Sequence, residues 1–362
     1  MILAARPFLV DPIRRRATIY DQQSTAIRRF LSGDRGEWVF DSLLGWTTVG
    51  ARRLGARATY GPRPATGTVR VAGFGNSFMR GAEVAEEDSW MDQLERADSS
   101  GRLEVLNFGV AAFGTDQSLL QYRRDGRPMA PTIVLIGLAP DNVRRNVNVY
   151  RRFLTTAGPP LTKPRFLLAP DGALTPLPNP LRRAEDLAPY LDDPAAVRAW
   201  GAHDGWYEPL IFERAWYDWS ATARLATGLW IRLRRRYFDA DALYRGDRVN
   251  PESSGYRLTV ALLRRFVAEV RAEGAVPVVV LMPDRLSLEQ RRDGQEQVLA
   301  PVVAALEADG IPCLDLGDPL LEAGGDPDRL LMSNLHYSPE AGARIARWLA
   351  PQLLRLAETE RP

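Results

Sequence analysis

Short runs of apolar, mostly β-branched residues recur along this chain, and stretches with apolar residues at helical spacing lie between them. Residues 69–74 read as a first strand, 103–107 as a second and 132–138 as a third. Residues 276–282 and 311–316 supply a fourth and a fifth. Helices are expected at 89–96 with Ser89 as N-cap, from Thr115 or Asp116 to about 124, and at 256–273 before Gly274. A last helix starts from Ser338 as N-cap with Pro339 at its first position. Strands that are apolar throughout, separated by helices, predict a parallel sheet covered on both faces. Such sheets carry their sites outside the carboxyl ends of the strands.

Two regions fall outside this pattern. Residues 1–66 form an N-terminal extension that ends in the loop-like Gly61-Pro62-Arg63-Pro64-Ala65-Thr66-Gly67. Residues 150–254 interrupt the core, which resumes at 255 and runs to 362 after a first part at 67–149. The insertion is proline-rich at first and later holds Trp200, Trp206, Trp216, Trp219 and Trp230. These tryptophans are expected mainly as core, with one or two available to a substrate. In Ile231-Arg232-Leu233-Arg234-Arg235-Arg236 the arginines are expected on a solvated helix face.

Composition narrows the chemistry. A net charge of +2 gives no nucleic-acid footprint. Cys313 is the sole cysteine, so neither an intrachain disulfide nor a thiolate zinc site is expected. Two histidines are too few for a histidine-rich metal site, and no cofactor is expected. No run reaches the roughly 20 apolar residues of a membrane span. The start of the chain lacks a secretory pattern, so a cytoplasmic location is expected.

The candidate chemistry sits where strands end. Gly75-Asn76-Ser77-Phe78 follows the first strand and places a serine hydroxyl at a strand-to-helix turn; the bland alternative is a serine that only caps the helix. Gly73-x-Gly75 also begins a dinucleotide fingerprint, but Phe78 stands where its third glycine belongs, and Asn107 rather than an acid ends the second strand. The segment from Asn107 to Gln117 is rich in small residues and can bring backbone N–H groups close to a ligand. Ala139-Pro140-Asp141-Asn142 ends the third strand with an amide side chain. His336, just before the last helix, is placed to act as a general base; His203 lies in the insertion.

These blocks resemble those of the SGNH, or GDSL-type, hydrolases. Gly75–Phe78 is similar to the Gly-Asp-Ser-Leu block, Asn107–Gln117 to the second block, 137–142 to the asparagine block and 335–342 to the histidine block. Phe40-Asp41-Ser42-Leu43-Leu44-Gly45-Trp46 resembles a lead-in found in many bacterial members. The resemblance implies a flavodoxin-like three-layer α/β/α sandwich around a parallel sheet. It implies Ser77 as nucleophile, His336 as base, and an oxyanion hole of the Ser77 N–H, the Ala112 N–H and the Asn142 side chain. The family's triad aspartate lies three residues before the histidine, where this chain has Ser333. Ser333 can orient an imidazole but supplies no charge, so either a Ser–His dyad operates, another carboxylate such as Asp141 or Asp326 substitutes, or the site is impaired. The expected function is hydrolysis of an O-acyl ester of a small molecule or carbohydrate through an acyl-enzyme. The alternatives are O-acyl transfer at the same Ser–His site, or a catalytically degenerate binding protein on the same fold.

Overall fold

A computed structural model describes residues 23–49, 53–54, 60–213, 215–322, 324–333 and 335–359. Six strands form the central sheet: β1 (Arg53–Leu54), β2 (Val69–Phe74), β3 (Leu103–Asn107), β4 (Ile133–Leu138), β5 (Val276–Leu281) and β6 (Cys313–Asp315). Their order is β6-β5-β4-β2-β3-β1. All neighbours run parallel except β1, which pairs antiparallel with β3 at the edge. The five parallel strands therefore lie in the order second, first, third, fourth, fifth, which is the flavodoxin-like winding. That winding turns back between β2 and β4, and the chain leaves both strands at the same edge.

Strand alternation divides the core into two faces. One face carries Val69, Val71, Val105, Leu135, Val278 and Val280, and it packs with Trp90, Leu94, Ile345 and Leu349 in one apolar cluster. These last four residues come from α2 (Trp90–Ala97) and α7 (Pro339–Thr359). The opposite face carries Phe74, whose ring lies 4.8 Å from Phe108 and edge-on to Tyr122 and Phe266. Phe266 belongs to α6 (Ser254–Ala272). Helices thus cover both sides, giving three layers, and the start signals behave as their side chains predict. Ser89 accepts from the Asp92 N–H, and Ser338 accepts from the Ala341 N–H ahead of Pro339.

The chain separates into two units. One comprises Gly50–Val143 and Leu258–Pro362 and contains the sheet. The other comprises residues up to Val49 and Arg144–Arg257, so the described part of the N-terminal extension up to Val49 groups with the insertion. Inside that second unit, Tyr150 donates to Gln23 and Asn179 to the Ser42 carbonyl. Gly45 is forced there, because a Cβ would lie 2.4 Å from the Thr162 carbonyl oxygen. Buried Asp204 accepts from Asn148 and from the Val149, Tyr150 and Trp206 N–H groups, and burial pushes its carboxyl up to about 6.

One polar pair interrupts the apolar sheet. Arg70 on β2 faces Glu104 on β3, is completely buried, and donates to Glu104 at 2.8 Å and to the Met129 carbonyl at 2.7 Å. Removing one partner leaves an uncompensated buried charge, at a cost of about 3–5 kcal/mol. Glu104→Ala is expected to lose stability on that scale in urea unfolding, and Arg70→Met with Glu104→Leu to regain most of it. A loss under about 1 kcal/mol in Glu104→Ala would show that the pair is solvated.

Candidate active site

The turn after β2 creates the site. Asn76 is the N-cap of α1 (Ser77–Arg80), and its side-chain oxygen accepts from the Phe78 N–H at 2.9 Å. Capping is therefore done by Asn76, and the Ser77 hydroxyl is left for another partner. That partner is His336: Ser77 Oγ lies 2.7 Å from His336 Nε2. The imidazole's other nitrogen, Nδ1, lies 2.7 Å from Glu83 Oε1. A carboxylate oxygen accepts, so Nδ1 carries the proton and Nε2 presents a lone pair to the serine O–H. Ser77, His336 and Glu83 thus form a hydrogen-bonded row from hydroxyl to carboxylate.

Two turns bring Glu83 back to the imidazole. α1 ends at Gly81 in the left-handed conformation (φ +75°), its N–H bonded to the Ser77 carbonyl; Glu83 itself has φ +76°. Leu335, directly before His336, has φ +79°, and Ala112 has φ +65°. Three of the four left-handed non-glycine residues among those described therefore sit on segments that carry this site. Such conformations cost of order 1–3 kcal/mol each and persist where surrounding contacts over-determine them. The Phe78 ring lies 4.9 Å from the His336 ring and 5.0 Å from Tyr337, walling the imidazole on one side. Tyr337 is buried, which holds its phenol well above its ordinary pKa, and it donates to the Pro283 carbonyl.

Ser333, expected to orient the imidazole, is exposed, and both His336 nitrogens are engaged elsewhere. Glu83 occupies the position expected of Ser333. Asp326, one of the alternatives, instead caps a helix by accepting from the Asp328 N–H. No spacing rule marks a carboxylate six residues after the serine; only the left-handed turns at Gly81 and Glu83 bring it round.

Three N–H donors on these turns have no acceptor among the described residues. The Asn142 side-chain oxygen accepts from Asn76 Nδ2 at 3.0 Å and from the Ala139 N–H at 2.9 Å. This fixes which end of the amide is which, and Asn142 Nδ2 is left buried without an acceptor among the described residues. A buried, unpaired donor costs about 1–3 kcal/mol, so its presence calls for an explanation. The Ser77 and Ala112 N–H groups also donate no hydrogen bond among the described residues. The second-block loop is laced to the turn by Phe108 N–H to the Gly73 carbonyl and Val110 N–H to the Gly75 carbonyl. Gly109 permits that approach, since a Cβ there would meet the Arg80 nitrogen at 2.3 Å. Among the described residues no cluster of His, Cys, Asp and Glu is arranged to hold a metal ion.

No family model matches the chain, and no curated protein matches it significantly. Among solved structures it is similar to a GDSL-like lipase from Bacteroides thetaiotaomicron, at 10% identity over 81% of this chain and 91% of that one, with a TM-score of 0.39. It is also similar to a catalytic mutant of an acetylxylan esterase from Geobacillus stearothermophilus, at 12% identity, 79% and 95% coverage and a TM-score of 0.38. A third is a lipase/acylhydrolase from Enterococcus faecalis, at 14% identity, 79% and 97% coverage and a TM-score of 0.37. The first of these is named for the group that the sequence blocks resemble, and the other two are named as an esterase and a lipase/acylhydrolase. Likeness at this TM-score carries no weight for chemistry, which rests on the contacts around Ser77 and His336.

Ala112 offers a direct check on the loop. Glycine tolerates φ +65° freely, whereas alanine pays roughly 1 kcal/mol there. Ala112→Gly keeps the N–H and relieves that strain, partly offset by the added freedom of the unfolded chain, and is expected to leave stability unchanged or raise it by up to about 0.6 kcal/mol in thermal or urea unfolding. A clear loss of stability would mean that Ala112 does not hold a left-handed conformation.

Proposed function

We propose that this chain is a serine ester hydrolase with Ser77 as nucleophile, His336 as general base and Glu83 as the acid that orients and stabilises the imidazole. The single observation that carries the reading is the row from Ser77 Oγ to Nε2 and from Nδ1 to Glu83, each contact 2.7 Å. Nε2 takes the hydroxyl proton as Oγ attacks the ester carbonyl, and Glu83 offsets the charge that appears on the imidazolium. The carbonyl oxygen becomes an oxyanion, and the Ser77 N–H, Ala112 N–H and Asn142 Nδ2 are the unpaired donors to receive it. His336 then returns the proton to the leaving alcohol as the acyl-enzyme forms. Water, deprotonated by the same imidazole, attacks the acyl-enzyme, releases the acid and restores Ser77. These steps use only side chains and backbone of this unit. The substrate class in this reading is an O-acyl ester of a small molecule or carbohydrate.

In this reading the third member of the triad is Glu83 rather than Ser333, and kinetics on one activated aryl acetate test that assignment. Ser77→Ala is expected to abolish both turnover and labelling by a fluorophosphonate. Glu83→Gln is expected to lower kcat by roughly 10²–10⁴ with little change in KM, because the lost charge matters mainly once the imidazole is protonated. Ser333→Ala is expected to match the wild type. An equal loss in Ser333→Ala and Glu83→Gln would remove Glu83 from the role, and unchanged turnover in Ser77→Ala would remove the whole reading.

A further inference from the structure

The unit that contains the insertion carries an amphipathic helix turned inside out. In α5 (Ala221–Leu233), Ile231 is the one buried residue. Leu225, Leu229 and Leu233 recur every fourth residue on the side facing solvent, with Trp230 on one border of the stripe. The stripe extends at both ends. Trp216 and Trp219 precede the helix with 84% and 80% of their surface exposed, and Tyr237 and Phe238 follow it at 65% and 72%. Among the described residues, eight of the twelve large apolar side chains left exposed fall in this one stretch. Scattered exposed apolar residues need no explanation; a contiguous group of this kind does.

Three arginines of the stretch are occupied on the other side. Arg234 pairs with buried Glu208, Arg224 donates to the Asp218 carbonyl, and Arg235 lies over the Trp206 ring at 5.7 Å. Ser220 caps the helix by accepting from the Ala223 N–H. The protein side of α5 is thus held by arginines and caps, and the apolar side is left uncovered. Arg232 is exposed on the other border of the stripe, with no partner among the described residues. From Trp216 to Phe238 the sequence has five arginines against one acid, Asp218. Beyond its end, Asp239 accepts from the Asp241 N–H, and Asp241 accepts from Ser254.

We propose that this face docks on an anionic membrane surface, with the leucines and aromatic rings entering the headgroup boundary and Arg232 meeting lipid phosphates. Tryptophan and tyrosine at both ends of an apolar stripe with arginine at its border are the groups that partition to a bilayer interface. The charge favours lipid over a second copy, because a two-fold contact on this face would bring two copies of Arg232 to one interface with no acid on α5 to pair them. The proposal concerns docking only: among the described residues no helix is long and apolar enough to cross a membrane. It does not depend on the esterase reading.

The test is co-sedimentation of the full chain with vesicles of phosphatidylcholine alone and of phosphatidylcholine with about 30 mol% phosphatidylglycerol, which supplies a negative surface potential. Binding to the anionic vesicles is expected, weakening as salt is raised. Trp219→Ser with Leu229→Ser and Trp230→Ser is expected to abolish binding without lowering the thermal midpoint, since these side chains are exposed. Arg232→Glu is expected to weaken binding by at least about fivefold, the effect of one basic residue near an anionic surface. Sedimentation of the unliganded protein completes the test. No binding to either vesicle overturns the proposal. So does a concentration-dependent dimer that the triple substitution dissolves, which would make a second copy the occupant. A fall in thermal midpoint in the triple variant, with no change in vesicle binding, would likewise overturn it by showing the face to be covered within the protein.

Discussion

The side-chain amide of Asn76 is the constraint on which the site depends. Its oxygen starts α1 by capping the Phe78 N–H, and its nitrogen ties the end of β2 to Asn142 at the end of β4. The first bond frees the Ser77 hydroxyl from capping and turns it toward His336. The second takes up one lone pair of the Asn142 oxygen and leaves Asn142 Nδ2 as an unpaired donor. An aspartate at 76 could cap equally well, but it has no N–H to give to the Asn142 oxygen. Asn76, which stands where the Gly-Asp-Ser-Leu block has aspartate, is thus the residue whose amide sets the polarity of this small network.

Strain is concentrated in the same place. Glu83, Ala112 and Leu335 adopt conformations that side chains ordinarily avoid, and each lies on a segment that supplies the proposed acid, an oxyanion donor or the base. Around them the unit is well supplied with packing: α2 and α7 cover one face of the sheet, and the Phe74, Phe108, Tyr122 and Phe266 rings fill the other. A well-packed sheet edge with strained loops on it suits the proposed chemistry, which needs polar groups held in place ahead of the transition state.

The parts legible in sequence are those set by local rules. Five apolar runs gave five parallel strands to within two residues at either end, because a fully covered strand needs apolar side chains on both faces. Ser89, Ser338 and Pro339 marked helix starts, because capping is a contact between near neighbours. Glu83 was not legible: its carboxylate reaches His336, 253 residues away, only through two consecutive excursions into left-handed backbone, one of them by a glutamate. The grouping of the N-terminal extension with the insertion was hidden for a similar reason, since it depends on contacts such as Tyr150 with Gln23. The outward stripe of α5 shows the converse, where helical periodicity identifies a face but not the side on which it lies.

The central claim is that Glu83, and not Ser333, holds the proton on His336 Nδ1. Proton–nitrogen NMR of histidine-labelled protein reads this directly, because the chain has only two histidines and His336→Gln assigns the signal. The account predicts an Nδ1–H tautomer with a low-field proton resonance that survives Ser333→Ala and disappears in Glu83→Ala. A resonance that survives Glu83→Ala and is lost in Ser333→Ala would contradict it.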